Sequence, residues 1–329
     1  MRTVCRLTTF RPRTDPVATG QPAPSRVNAP AKINLCLNIT GRRADGYHLL
    51  DSVVVFAATG DFLDIRHAEE DCITLAGAFA SQVYETQDRG PQAASDGGGN
   101  ICAKTLSAWR AAGGAIGPLA IHIEKHIPVG AGLGGGSGDA AALLRWLQTH
   151  ADRPIADDQL FDLALEIGAD VPACLVGKPL RMRGIGDVIE TLEPAPAGPV
   201  LLASPGVLLS TKRVFTALAD KDAEQDDTGR DDTGRDDNGP ASWPLPAGPE
   251  GLTMAEIASR GNDLQAEAIA IAPEIGALLQ LMAAQDGAVT AQMTGSGSAC
   301  FALFETSALC DAAEAALKSR GLWAVSTSI

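Results

Sequence analysis

The 329-residue chain has seven cysteines, Cys5, Cys36, Cys72, Cys102, Cys174, Cys300 and Cys310, but no C-x-x-C pair among them. An odd, scattered set is no disulfide framework; it is expected to stay reduced, in a cytoplasmic protein. The five histidines form no H-E-x-x-H or clustered spacing, so no dedicated metal site is expected. Long apolar runs are missing as well. The greasiest stretches, 52–58 and 199–209, are short, and Pro, Gly or Ser interrupt or flank them, against the ~18 residues a membrane helix needs. Positive charge is scarce: 26 Lys and Arg face 40 Asp and Glu, a net −14 at pH 7. That sign excludes broad binding to nucleic acid, yet leaves room for a small phosphate ligand, because backbone amides at a helix start bind one locally.

Hydrophobic residues at 45% supply a packed core, and the length suggests two domains. Residues 1–24 carry Arg2, Arg6, Arg11 and Arg13 against Asp15, with no apolar segment of a secretory signal, and read as a disordered extension, an organelle transit peptide being the alternative. The pentamer D-D-T-G-R, at 226–230 and again at 231–235, has too little apolar surface to offset its ordering entropy. The expected disordered acidic insertion spans about 221–250, and it lacks the closing Glu of a calcium loop. Elsewhere the pattern mixes strands (27–39, 52–58, 119–127, 200–204, 288–293, 300–304) with helices (100–111, 137–148, 157–167, 212–218, 263–284, 307–318). The proline-rich 193–199 marks a boundary, giving domains 25–198 and 199–329.

The strongest local signal is Pro128, Val129, Gly130, Ala131, Gly132, Leu133, Gly134, Gly135, Gly136, Ser137 and Gly138, after a strand pattern and opening an Ala/Leu-rich helix. Glycines let a backbone pass close to a ligand, and amides at a helix N-terminus receive phosphate oxygens. The bland alternative is a flexible loop or a crowded helix–sheet contact. A Walker A loop is excluded, since the only Gly-Lys, Gly177-Lys178, precedes Pro179. The letters G-x-G-x-x-G also occur, without an acid ending a second parallel strand about 20 residues on. On pattern alone, Lys32, Asn34, Cys36 and Asn38 share one face of an alternating strand that could simply be solvated. Asp170 could N-cap a helix beginning at Val171-Pro172, and Tyr47-His48 could be ordinary turn residues.

This loop resembles that of the GHMP kinases, P-x-x-x-G-L-G-S-S-A-A. Further stretches are similar to one branch of that family: 29–35 with 40–48, Gly168-Ala169-Asp170-Val171-Pro172, Asn262-Asp263-Leu264, and 293–300 around Gly295, Ser296 and Gly297. The resemblance covers about residues 27–329. It implies a two-domain α+β fold, the N-terminal domain like ribosomal protein S5 domain 2 and the C-terminal one a ferredoxin-like α/β sandwich. It further implies an ATP-dependent kinase, with Mg²⁺ brought by the nucleotide, acting on an alcohol of a small molecule that bears a cytidine diphosphate group. By the same resemblance Asp170 is the catalytic acid-base residue, with Lys32 beside the reacting hydroxyl. Asn34, Tyr47, His48, Thr211, Gly295, Ser296 and Gly297 meet the acceptor, while Asn100, Lys125 and the 128–138 loop hold the nucleotide. Gly138 departs from the pattern, since a second hydroxyl residue often follows the loop serine. Alternatives are a GHMP kinase for homoserine, mevalonate or a sugar, and an inactive nucleotide-binding regulator. Monomer and homodimer are both compatible with the sequence.

Overall fold

The computed structural model describes residues 24–43, 45–85, 100–193, 195–226 and 253–329. The expected N-terminal extension, but for its last residue, and the D-D-T-G-R repeats beyond Asp226 lie outside them. No helix among the described residues is long and apolar enough to cross a membrane.

Strand β1 (Ser25–Arg42) departs from simple alternation. Every residue from Ala31 to Leu37 is buried, so neither face is solvated. Its register against β2 (His48–His67) shifts between Pro30 and Lys32, between Asn34 and Cys36, and between Ile39 and Gly41. A bulge adds a residue on one strand and re-aims the side chains beyond it. Cys36 therefore joins Ile33 and Leu35 in one apolar cluster, and the expected shared face of Lys32, Asn34, Cys36 and Asn38 does not persist along the strand.

The 20-residue β2 is the spine of the first sheet. Antiparallel to it on one side runs β1; on the other, β4 (Leu119–Glu124) pairs with its C-terminal part and β5 (Leu180–Gly184) with its N-terminal part. The outer strands are β3 (Cys72–Ala76) and β6 (Val188–Thr191). Helix α1 (Ala80–Glu85) follows β3. Helices α2 (Ile101–Ala111), α3 (Gly135–His150), α4 (Asp157–Ile167) and α5 (Val171–Val176) enclose a core with Leu63, Ile65, Ile121, Ile123, Trp109 and Leu143.

The second sheet is antiparallel, in the order β10 (Trp323–Ser328), β7 (Pro199–Ser204), β9 (Cys300–Phe304), β8 (Ala288–Met293). It is accompanied by α6 (Thr211–Asp226), α7 (Met254–Ala258), α8 (Gln265–Ile271), α9 (Glu274–Ala283) and α10 (Ser307–Lys318). Two expectations are corrected here. The single helix over 263–284 is two helices, because Pro273 disfavours the helical conformation at Ala272, which leaves it (φ −136°, ψ 86°). Helix α6 runs through Asp226, so the first residues of the expected disordered insertion are helical.

Chain segments on either side of residue 198 share a core, in which Ile33, Leu35 and Val55 pack with Leu202, Phe301 and Leu303. A polar clamp adds to it. Leu37 donates its N–H to the Gly261 carbonyl (3.0 Å), and Asp263 donates back to the Leu37 carbonyl (2.9 Å). The Asp263 carboxylate also accepts the Ile39 N–H at 2.7 Å.

Candidate active site

A cleft of about 800 Å³ opens between the two sheets, lined by the 128–137 loop, Lys32, Asn34, Asp170 and the 295–296 turn. The loop leaves β4 and enters α3 through Gly134, the helix N-cap, at φ +66°. The first amides of a helix have no carbonyl partner within it, so those of α3 are available at the cleft. Close approach dictates glycine at two positions. A Cβ on Gly132 (φ +79°) would lie 2.5 Å from the Thr294 carbonyl oxygen, and one on Gly134 would lie 3.1 Å from Lys32 Cβ. The loop is thereby held against both the 294–297 turn and β1, whose Lys32 N–H donates to the Leu133 carbonyl of the loop at 2.9 Å.

Lys32 and Asp170, 138 residues apart in sequence, form an ion pair of 3.0 Å. The lysine side chain is 3% exposed and the carboxylate 38%, so a buried cation presents an accessible anion to the cleft. Asp170 does occupy the N-cap position of α5, but its side chain makes no capping hydrogen bond. The capping reading of this residue is therefore set aside; the carboxylate is committed to Lys32.

Lys125 lies deeper. Its ammonium is enclosed by Asp61 and Asp139, the latter at 2.6 Å, and all three residues are buried. Burial opposes the charge on Lys125, yet the two carboxylates outweigh it and raise its pKa above the ordinary lysine value. Desolvation, opposed by the Lys125 charge and reinforced by Asp61, pushes Asp139 up to about 7. Asp61 also accepts the N–H groups of His126 (2.6 Å) and Ile127 (2.9 Å), which fixes the chain just ahead of the loop. Asn100 lines the cleft nearby, but its side-chain oxygen caps α2 by accepting Cys102 N–H at 2.8 Å.

At the far end, Tyr47 is 63% exposed after the Gly46 turn. The imidazole of His48 packs on the ring of Phe215 with centroids 5.1 Å apart, and all three rings line the cleft. Thr211 Oγ1 hydrogen-bonds Ser296 Oγ at 2.7 Å, tying α6 to the 295–297 turn. Asn262 braces that turn with its amide, donating to the carbonyls of Met293 (2.9 Å) and Gly295 (2.8 Å).

Two family models match, the GHMP kinases N terminal domain over residues 100–178 and the GHMP kinases C terminal over 251–321. A 4-diphosphocytidyl-2-C-methyl-D-erythritol kinase of Agrobacterium fabrum (strain C58) is 39% identical over 296 residues, 89% of this chain and 91% of that protein. The kinase of the same name from Brucella abortus biovar 1 is 41% identical over 304 residues, 90% of this chain and 92% of its own length. A crystal structure of 4-(cytidine 5'-diphospho)-2C-methyl-D-erythritol kinase superposes with a TM-score of 0.69 at 30% identity, covering 92% of this chain and 98% of that one. The chain belongs to the 4-diphosphocytidyl-2-C-methyl-D-erythritol kinase family, within the GHMP kinases.

For a GHMP kinase, which takes ATP as phosphoryl donor, the residues singled out from sequence converge with two exceptions. Gly138 faces away from the cleft, since a Cβ there would meet the Pro30 carbonyl oxygen at 3.3 Å, so it serves the packing of α3 on β1. Gly297 likewise sits behind the turn, against Met293 and Leu209. The kinase also carries cleft-lining or supporting residues that sequence reasoning missed, Phe215, Asp61, Asp139 and Ser52, while Asn262 was marked only as part of a similar stretch, without a role. Phe215 had a readable signal, lying four residues after Thr211 on one face of a helix. Asp61 had none, being 64 residues from its lysine.

Proposed function

We propose that this enzyme transfers the γ-phosphoryl group of ATP to the 2-hydroxyl of 4-diphosphocytidyl-2-C-methyl-D-erythritol, giving the 2-phosphate, a step of the non-mevalonate route to isoprenoid precursors. The observation that carries the reading is one cleft in which a helix-start phosphate loop and a three-ring aromatic end flank the Lys32–Asp170 pair.

The loop fits a triphosphate. Its glycines clear the backbone for close approach, and the N-terminus of α3 directs amides and the positive end of the helix dipole into the cleft. Magnesium brought with the nucleotide would neutralise charge on the β and γ oxygens; the Ser137 hydroxyl is a hard oxygen donor of the type that ion takes.

Asp170, open to the cleft, takes the proton from the 2-hydroxyl as the new O–P bond forms and the β–γ bridge breaks. Lys32 orients that carboxylate and offsets negative charge developing on the attacking oxygen. Asn34, Thr211, Gly295 and Ser296 border the space between the pair and the aromatic end and hold the acceptor's middle. Tyr47, His48 and Phe215 receive the cytosine, through ring stacking and a base-edge hydrogen bond. With no covalent intermediate to form, placement and electrostatics supply the rate.

A substrate panel tests this directly. ATP-dependent phosphorylation is expected with the cytidine compound and to be far slower with homoserine, mevalonate and galactose. Efficient turnover of one of those three, without the cytidine compound, refutes the acceptor while leaving a kinase.

A further inference from the structure

Asn34 stands on β1, two residues from Lys32, and is 2% exposed. Its N–H donates to Thr294 Oγ1 at 2.8 Å. Its side-chain NH₂ donates to Ser52 Oγ at 2.7 Å. The side-chain oxygen, Oδ1, is buried and has no hydrogen-bond partner among the described residues. Asn34 and Gly295 both line the cleft, and a Cβ on Gly295 would come within 3.4 Å of that oxygen. A buried carbonyl without a donor costs free energy, so its persistence here points to a donor supplied by the substrate.

What sets the direction of the amide is Ser52, on β2 and fully buried. A hydroxyl has one proton to give, and Ser52 gives it to the Cys36 carbonyl at 2.6 Å, beside the bulge between Asn34 and Cys36. With its proton committed, Ser52 Oγ can only accept. The opposite amide flip would set two acceptor oxygens against each other across that contact and turn the NH₂ into the cleft.

We propose that Ser52 is a positioning residue for the phosphoryl acceptor, holding the Asn34 amide so that its carbonyl oxygen receives a hydrogen bond from a substrate hydroxyl. The proposal rests on the function given above, since that cleft must hold an alcohol. It makes the site selective for a proton-donating group at this point, because a site built for a hydroxyl leaves its own polar atom unpaired when the donor is missing. Ser52 touches no substrate; it acts through Asn34.

The test is a double-mutant cycle on the full-length enzyme, using Ser52→Ala, Asn34→Ala and the pair, with Ser52→Thr as the conservative variant. Ser52→Ala is expected to lower kcat/KM for the cytidine acceptor by about 5- to 10-fold, the range of one ordinary hydrogen bond, with the KM for ATP unchanged. In the Asn34→Ala background the same substitution is expected to add nothing, and Ser52→Thr to recover most of the loss. Thermal midpoints separate this from misfolding, which would reduce active enzyme without a KM split between substrates. The proposal is overturned by wild-type kcat/KM in Ser52→Ala, by equal effects of Ser52→Ala with and without Asn34, or by losses that fall alike on ATP and acceptor. Should the wild-type enzyme prefer another alcohol, the stated function fails, and the same cycle run on that alcohol still decides the role of Ser52.

Discussion

Asp170→Asn isolates the chemistry from the fold. The substitution keeps the size of the side chain and one oxygen facing Lys32 Nζ, now 3.0 Å from the carboxylate, but removes the proton acceptor. Loss of a general base lowers turnover by about 10²- to 10⁴-fold, or ~3–5 kcal/mol in the barrier. The stability cost is smaller. No helix cap is lost, because the side chain makes no capping bond. A fully buried pair broken on one side costs ~3–5 kcal/mol, but Asp170 is 38% exposed and the asparagine keeps an amide oxygen facing the buried lysine, leaving ~1–2 kcal/mol. The variant therefore stays folded at 25 °C with a thermal midpoint only a few degrees lower. Steady-state kinetics should show the loss in kcat with the KM for ATP within about twofold of the parent. Turnover within fivefold of wild type would refute the base assignment. So would a large fall in midpoint with normal kcat, which is the signature of a structural role.

The buried Lys125 cluster makes stability depend on pH. Asp139 titrates near 7 when folded, above its ordinary 3.8, so the native state holds a proton that the unfolded chain releases; the associated stability is present below about pH 4 and lost as pH rises through about 7. The thermal midpoint of wild type, relative to Asp139→Asn, should therefore fall between pH 5 and pH 8, and parallel profiles would contradict the assignment. Phe215→Ala and Tyr47→Ala should each weaken binding of the cytidine acceptor by ~1–3 kcal/mol in calorimetric titration, with ATP binding unaltered; equal weakening of both would place the rings elsewhere in function. Gly132→Ala must fit a Cβ 2.5 Å from the Thr294 carbonyl at φ +79° and should cost ~2 kcal/mol, read by urea denaturation. Gly136→Ala, whose nearest neighbours are at 3.8 Å, should cost little, and a similar loss in the two variants would count against the steric account.

The phosphate loop was legible because its information is local: glycine spacing, a preceding strand and a following helix lie within one short stretch, and φ > 0 at Gly130, Gly132 and Gly134 is what such spacing is for. Lys32 and Asp170 stood out only through resemblance, since a lysine on a strand and an aspartate before a helix have ordinary structural uses. Their pairing across 138 residues belongs to the fold alone, as does the enclosure of Lys125 by Asp61 and Asp139. Local periodicity failed on β1, where three register shifts against β2 break the two-residue alternation, and the second layer that buries its outer face comes from β7 and β9, more than 160 residues on. Hydrogen-bond direction is the least local property of all. That Ser52 must accept from Asn34 depends on which carbonyl already holds its proton, and only the packed tertiary structure brings those three groups within reach of one another.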